Sequence, residues 1–223
     1  MFNLFLTDFI IPAVDWISIK VSNLFSKYPP HHNKRWFFIH TVVNGLVAWY
    51  NLEDLIDCIN NREACAFSPM SEGAFFATDL MIKAHFYHMI FFFYHLKPAE
   101  WFHHMIMCGF NGVSVYYFKN KAQAASAFFL SGLPGMVDYF LLWCVKMGFI
   151  DSKIEKKAYV YLATYLRSPG TAIVTYLSVP LLYRKDFSEI DFDWWYAFLV
   201  IFLNFWNGQY YMMKTCIDYG KKF

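Results

Sequence analysis

Six apolar stretches follow one another along this chain, at approximately 36–52, 73–96, 101–118, 122–150, 158–183 and 192–217. A bilayer core about 30 Å thick is crossed by about 20 largely apolar helical residues. A run of such segments therefore predicts an all-α, polytopic membrane protein with six transmembrane helices. Composition agrees: 58% of residues are hydrophobic and 16% charged, with 26 Phe, 16 Tyr and 8 Trp, against roughly half and a quarter in a soluble domain. A soluble protein of 223 residues has too little interior to hide that much apolar surface.

Two of the stretches are interrupted. Gly132, Pro134 and Gly135 fall inside the fourth; Arg167, Pro169 and Gly170 fall inside the fifth, with Pro180 near its end. At membrane depth such breaks survive where neighbouring protein or a polar cavity satisfies the freed backbone groups, so the helices are expected to enclose a central cavity of lipid size. The first 25 residues differ, since Asp8, Pro12, Asp15 and Lys20 punctuate their apolar residues. They read as an interfacial amphipathic helix, with a seventh span as the alternative; they show no basic start and no small-residue cleavage site. Residues 27–35, with Pro29, Pro30, His31 and His32, read as a linker. The chain thus divides into an N-terminal segment and linker at 1–34, a transmembrane domain at 35–217 and a short basic tail at 218–223.

The loops set an orientation. With the linker inside and the spans alternating, ten basic residues (among them Lys97, Lys153, Lys156 and Lys157) collect on the inner side and five (Arg62, Lys119, Lys121, Arg184, Lys185) on the outer. Inner loops are the basic ones. The formal charge of +2 carries no basic stripe for nucleic acid. Five cysteines, with no CxxC pair, suggest buried thiols rather than a zinc site or a disulfide framework.

Ionisable groups at span depth are expensive and mark function by default. The second stretch holds Asp79, Lys83, His85, His88 and His95. At 100° per residue the three histidines share one face, while Asp79 and Lys83, four apart, pair on another. The third opens with Trp101, Phe102 and the adjacent His103 and His104; Asp138 follows the break at Pro134 and Gly135. His40 and His95 read as packing histidines. Adjacent helical residues point 100° apart, so one of His103 and His104 can face a cavity while the other orients it, and imidazole suits proton transfer near neutral pH. The histidines compete as metal ligands, but one HxxH at 85–88 and one HH are too few for a di-iron site.

The order and spacing of these pieces resemble the TLC-domain family of membrane proteins, which includes the ceramide synthases. The similarity runs from about Trp36 to Lys214: RWFFIHTVVNGLVAWYN at 35–51, FFATDLMIKAHFYHMIFFFYH at 75–95, EWFHHMIMCGF at 100–110 and LNFWNGQYYMMK at 203–214. The ceramide-synthase motif runs HH, six residues, Asp, six residues, Phe, then Asn-Tyr-x-Arg-x-Gly. Here His103 and His104 are followed by Asn111 in place of Asp, then by Phe118, and Lys121, Ala122 and Ala124 stand where Asn, Tyr and Arg are expected. The chain resembles a divergent member.

That resemblance implies an acyltransferase moving an acyl chain from acyl-CoA, as co-substrate, to a lipid amine or hydroxyl in a membrane of the endoplasmic reticulum. His103, His104 and Asp79 are its expected catalytic residues, and His85, His88, Trp101, Asn111, Asp138 and Arg167 its expected substrate contacts. The alternative is a non-catalytic lipid-binding or structural subunit, in a homo-oligomer or a larger membrane complex, that keeps the fold without the chemistry.

Overall fold

The computed structural model describes residues 4–25, 32–183 and 192–222, and every regular element among them is helical. The linker residues 27–31 and the loop with Arg184 and Lys185 lie outside the described residues, as does the side chain of His32.

The central element is α2 (His32–Asn60). Ile39, Val43 and Val47 repeat every four residues and are fully buried against Phe76, Ala77, Leu80 and Met81 of α4 (Glu72–Phe91). A second face of α2 carries His40, Asn44 and Asn51, also buried; His40 and Asn44 face α8 (Leu133–Met147), while Asn51 donates to Thr78 of α4 at 3.4 Å. Helices α2 and α8 approach closely because α8 begins in glycine. A Cβ on Gly132 would lie 3.2 Å from the backbone of Ala48, and one on Gly135 would lie 2.6 Å from Asn44 Nδ2. Of the short helices between, α3 spans Arg62–Phe67, α5 Pro98–His104, α6 Val113–Phe118 and α7 Lys121–Ala127. After α8 come α9 (Ser152–Leu162), α10 (Ser168–Ser178) and the long α11 (Phe192–Lys222). The tail expected at 218–223 is thus largely the last turns of α11.

The interruptions foreseen in the fourth and fifth stretches do not break the helices. Three π-helical segments occur among the described residues: Met105–Gly112 joins α5 to α6, Phe128–Gly132 joins α7 to α8, and Ala163–Arg167 joins α9 to α10. Pro134 and Pro169 then fall in the first turn of the following helix, where a missing N–H costs least. The second and third of these wide turns each lead directly into a proline-bearing first turn and bury Ser131 and Arg167; such segments recur at functional sites.

The N-terminal segment is a helix, α1 (Leu4–Phe25), with part of its polarity turned inward. Asp15, Ser18 and Ser22 are buried with Ile11 and Val14, whereas Phe9, Trp16 and Leu24 are 72, 61 and 77% exposed. Arg35 donates to Asp15 from Nε at 2.8 Å and from Nη2 at 2.5 Å, and the Tyr87 hydroxyl donates to the same carboxylate at 2.7 Å. Asp15, Ser18 and Ser22 are thus enclosed where α1 packs on α2 and α4, while Asp8, Lys20 and Asn23 remain exposed.

Two other sequence expectations change. Cys58 and Cys65 form a disulfide across the turn between α2 and α3, while Cys108 and Cys144 are buried thiols. His95 lies in a short 3₁₀ turn beyond the end of α4 and is exposed, so it does not share the face of His85 and His88. Near the disulfide, burial holds the Asp54 carboxyl above the ordinary carboxylate range, opposed by the Ser71 backbone N–H that donates to it at 2.9 Å. One continuous helical stretch among the described residues, Lys121–Met147, has both the length and the apolar composition to cross a bilayer.

Candidate functional site

The polar stripe of α2, the first turns of α5 and the π-helical turns before α8 and α10 meet around a chamber of about 260 Å³. His40 and Asn44 come from α2, His85 from α4, His103 from α5, Asp138 and Tyr139 from α8, Arg167 from the third π segment and Asn207 and Tyr211 from α11. Glu100 and Lys214, both exposed, stand at its mouth. That mouth lies at the end of the bundle where α5 and α9 begin and α8 ends; the disulfide is at the other end, where α3 meets the residues following α10.

A second cavity of about 250 Å³ adjoins the chamber. Phe102, Ile106, Trp206 and Tyr210 give it an apolar lining, and it shares His103, Asn207, Tyr211 and Lys214 with the chamber. Within that shared wall the Tyr211 hydroxyl lies 3.3 Å from His103 Nδ1.

Five histidines gather here. His40 stacks on Tyr139, His88 stacks on Trp36, and His85 meets His40, His103 and His104 with ring centroids 5.3–5.8 Å apart. Their neighbours fix the protons. His85 Nδ1 is 2.8 Å from the Met81 carbonyl, which can only accept, so Nδ1 carries hydrogen and the neutral ring keeps its lone pair on Nε2. His104 Nδ1 faces the Glu100 carbonyl at 2.5 Å. Its Nε2, in the neutral ring, then accepts from His88 Nδ1 at 3.1 Å.

The expected site residues therefore separate. His85, His103, Asp138 and Arg167 line the chamber; His88 and His104 stand one layer behind, packed on Trp36. Asp79 is elsewhere, hydrogen-bonded by Tyr116 and paired with Lys83 at 3.2 Å, which also reaches Asp8 at 2.8 Å. Asn111 lines a narrow slot of about 20 Å³ with Thr78 and Asn204, and Trp101 packs on Phe93. Sequence reasoning set His40 aside and did not single out Asn44, Ser131, Tyr139, Tyr159, Asn207 or Tyr211. The available signal was spacing: His40 with Asn44, and Asn204 with Asn207 and Tyr211, recur at the three- and four-residue intervals of one helix face.

Polar contacts brace the chamber walls. Ser131, in the second π segment, donates to Asn44 Oδ1 at 2.8 Å, and Arg167 Nη1 donates to the Tyr159 hydroxyl at 2.8 Å. Among the described residues no group of three or more His, Cys, Asp or Glu side chains has the geometry to hold a metal ion. No family model, curated protein or solved structure matches the chain.

Proposed function

We propose that the chain is a multi-pass membrane protein of the TLC-like kind that transfers an acyl group from a thioester, such as acyl-CoA, to a lipid amine or hydroxyl, with His103 as the base. The observation that carries this reading is the position of His103, on the wall common to a polar chamber and an apolar cavity. An amphiphile can place its head in one and its chain in the other, with the junction beside an imidazole. The orphaned apolar surface of α1 supports a seventh crossing beside the six apolar stretches, and the basic residues collect at the chamber end.

In the step itself the acceptor N–H or O–H attacks the thioester carbonyl while its proton passes to His103 Nε2. A C–N or C–O bond forms, the C–S bond breaks, and the departing thiolate takes the proton back. In this role Nδ1–H is donated to the Tyr211 oxygen, which holds the ring in place and favours its charged form. His85 supplies a second lone pair at the chamber wall. His88 and His104 support the cluster from behind.

A second reading rests on Asp79. Its carboxylate is engaged by Tyr116 and Lys83, and with Asn111 replacing the acidic residue of the related motif, no carboxylate among the described residues is hydrogen-bonded to His103 or His104. That favours a non-catalytic lipid-binding subunit with the same cavities. Purified protein, a mass-tagged acyl-CoA and a panel of lipid amines and alcohols separate the two. Acyl transfer abolished in a folded His103→Ala variant supports the enzyme; co-purification of an acyl lipid without turnover, unchanged by that variant, supports the binding subunit.

A further inference from the structure

Two buried ionisable side chains, one acidic and one basic, line the chamber without meeting. Asp138 and Arg167 are each 8% exposed. Among the described residues Asp138 Oδ1 and Arg167 Nε have no hydrogen-bond partner, and the one side-chain bond from Arg167 goes to the neutral Tyr159 hydroxyl. They sense one another's charge across the chamber, yet no salt bridge joins them among the described residues. Buried ions left apart are far costlier than a contact pair, because neither recovers its lost hydration.

We propose that the chamber binds a small zwitterionic group, with its cationic nitrogen against Asp138 and its anionic oxygens against Arg167. Such a group supplies both missing partners at once. An anion alone satisfies Arg167 but is repelled by Asp138, and a cation alone meets the reverse, so the pair selects against singly charged ligands as well as for the zwitterion. Planar guanidinium suits a phosphate or carboxylate with two parallel hydrogen bonds. About 260 Å³ accommodates such a group with its nearest waters, a water occupying roughly 30 Å³. Glu100 and Lys214 repeat the two signs at the mouth. The neighbouring apolar cavity makes room for a chain attached to the group, so the ligand is either a lipid head group or the free zwitterion.

This assignment deepens the functional reading above by naming the chemistry of the head group, but its test needs no turnover. Thermal unfolding of the detergent-purified full chain is followed with four probes: phosphoethanolamine, a short-chain phosphatidylethanolamine, the same lipid N-acetylated so that the amine is neutral, and a short-chain phosphatidic acid. The expected result is stabilisation by the phosphatidylethanolamine at a concentration at least tenfold lower than by either its N-acetylated form or the phosphatidic acid. Asp138→Asn is expected to erase that preference, and Arg167→Gln to weaken all three lipids. Equal effect from phosphoethanolamine identifies the free zwitterion as the ligand; effect from the lipid alone identifies the head group. Equal stabilisation by the amine and N-acetyl lipids overturns the assignment on the parent protein alone, whether or not the variants fold. Zwitterion preference without acyl transfer sustains this assignment while removing the enzyme; transfer without the preference does the opposite.

Discussion

The Tyr211 hydroxyl lies 3.3 Å from His103 Nδ1, and the two side chains together form the partition between a polar and an apolar cavity. Tyr211 comes from the last helix and His103 from α5, 108 residues earlier, so this contact closes the bundle where the proposed chemistry occurs. Tyr211→Phe keeps the ring and removes the oxygen that accepts from Nδ1. A hydrogen bond is worth about 1 kcal/mol, which corresponds to roughly a fivefold loss of rate. The acyl-transfer kcat should fall by that factor with KM for the lipid nearly unchanged and the melting temperature within a degree or two. A variant with full kcat would remove Tyr211 from the mechanism.

A different contact holds α1. Asp15 is nearly inaccessible and receives both Arg35 and Tyr87. Arg35→Ala leaves that carboxylate buried without its counter-charge, a loss of about 3–5 kcal/mol for a buried pair, towards the lower end because Arg35 is itself partly exposed. Tyr87→Phe removes one hydrogen bond and should cost about 1 kcal/mol. Limited proteolysis within α1 should accelerate markedly in the first variant and little in the second. Equal protection in both would mean that apolar packing alone secures the helix.

The apolar stretches were readable because length and composition are local properties, and α2, α4, α8, α10 and α11 stand where they were expected. What could not be read was partnership. The local pairing of Asp79 with Lys83 was legible in their four-residue spacing, but its hydrogen-bond donor, Tyr116, is 37 residues away. The inward polarity of α1 depends on Arg35 and Tyr87, 20 and 72 residues from Asp15. Pro134 and Pro169 announced irregularity without saying that a π turn would lead into each. His40 alone resembles a packing histidine; only the approach of α8, permitted by Gly132 and Gly135, places it on a cavity wall.

The Cys58–Cys65 disulfide closes the end of the bundle remote from the chamber mouth. Disulfides persist in oxidising compartments, so on the multi-pass reading proposed above that end should face the lumen or exterior and the chamber mouth the cytoplasm. The lysine and arginine distribution gives the same orientation independently. In intact vesicles, a membrane-impermeant reductant followed by an impermeant maleimide should label these two thiols only from the luminal or outer side. Labelling from the cytoplasmic side would invert the topology. Cys58→Ser should cost about 2 kcal/mol through the lost closure of a short loop.

Asp54 tests the same corner by pH. Its carboxyl sits above the ordinary range chiefly through burial, so the folded chain holds this proton more tightly than the unfolded chain does. The resulting stability is complete below the unfolded pKa of about 3.9 and is lost as pH rises through the folded value. Asp54→Asn keeps an acceptor for the Ser71 amide and removes the titration. Its melting temperature should therefore gain on the parent's as pH climbs from about 4, and parallel profiles for the two proteins would exclude a titrating Asp54.

The adjacent histidines offer the sharpest test, since the sequence presents them as a pair and the fold separates them. His103 lines both cavities, whereas His104 is buried behind, bonded to the Glu100 carbonyl and to His88 and packed near Trp36. His103→Ala opens onto an existing cavity, so the fold should lose little while transfer falls about 100-fold or more, the usual contribution of a positioned base. His104→Ala instead removes the hydrogen bond between His104 Nε2 and His88 Nδ1 and opens a void beside Trp36. The lost hydrogen bond costs about 1 kcal/mol, and the vacated volume adds to that. Its melting temperature should drop by several degrees, and whatever activity remains should keep the parent's pH profile. Were the two variants to lose rate equally at unchanged stability, the histidines would have to act as a coupled pair, and the assignment of His103 as the sole base would fail.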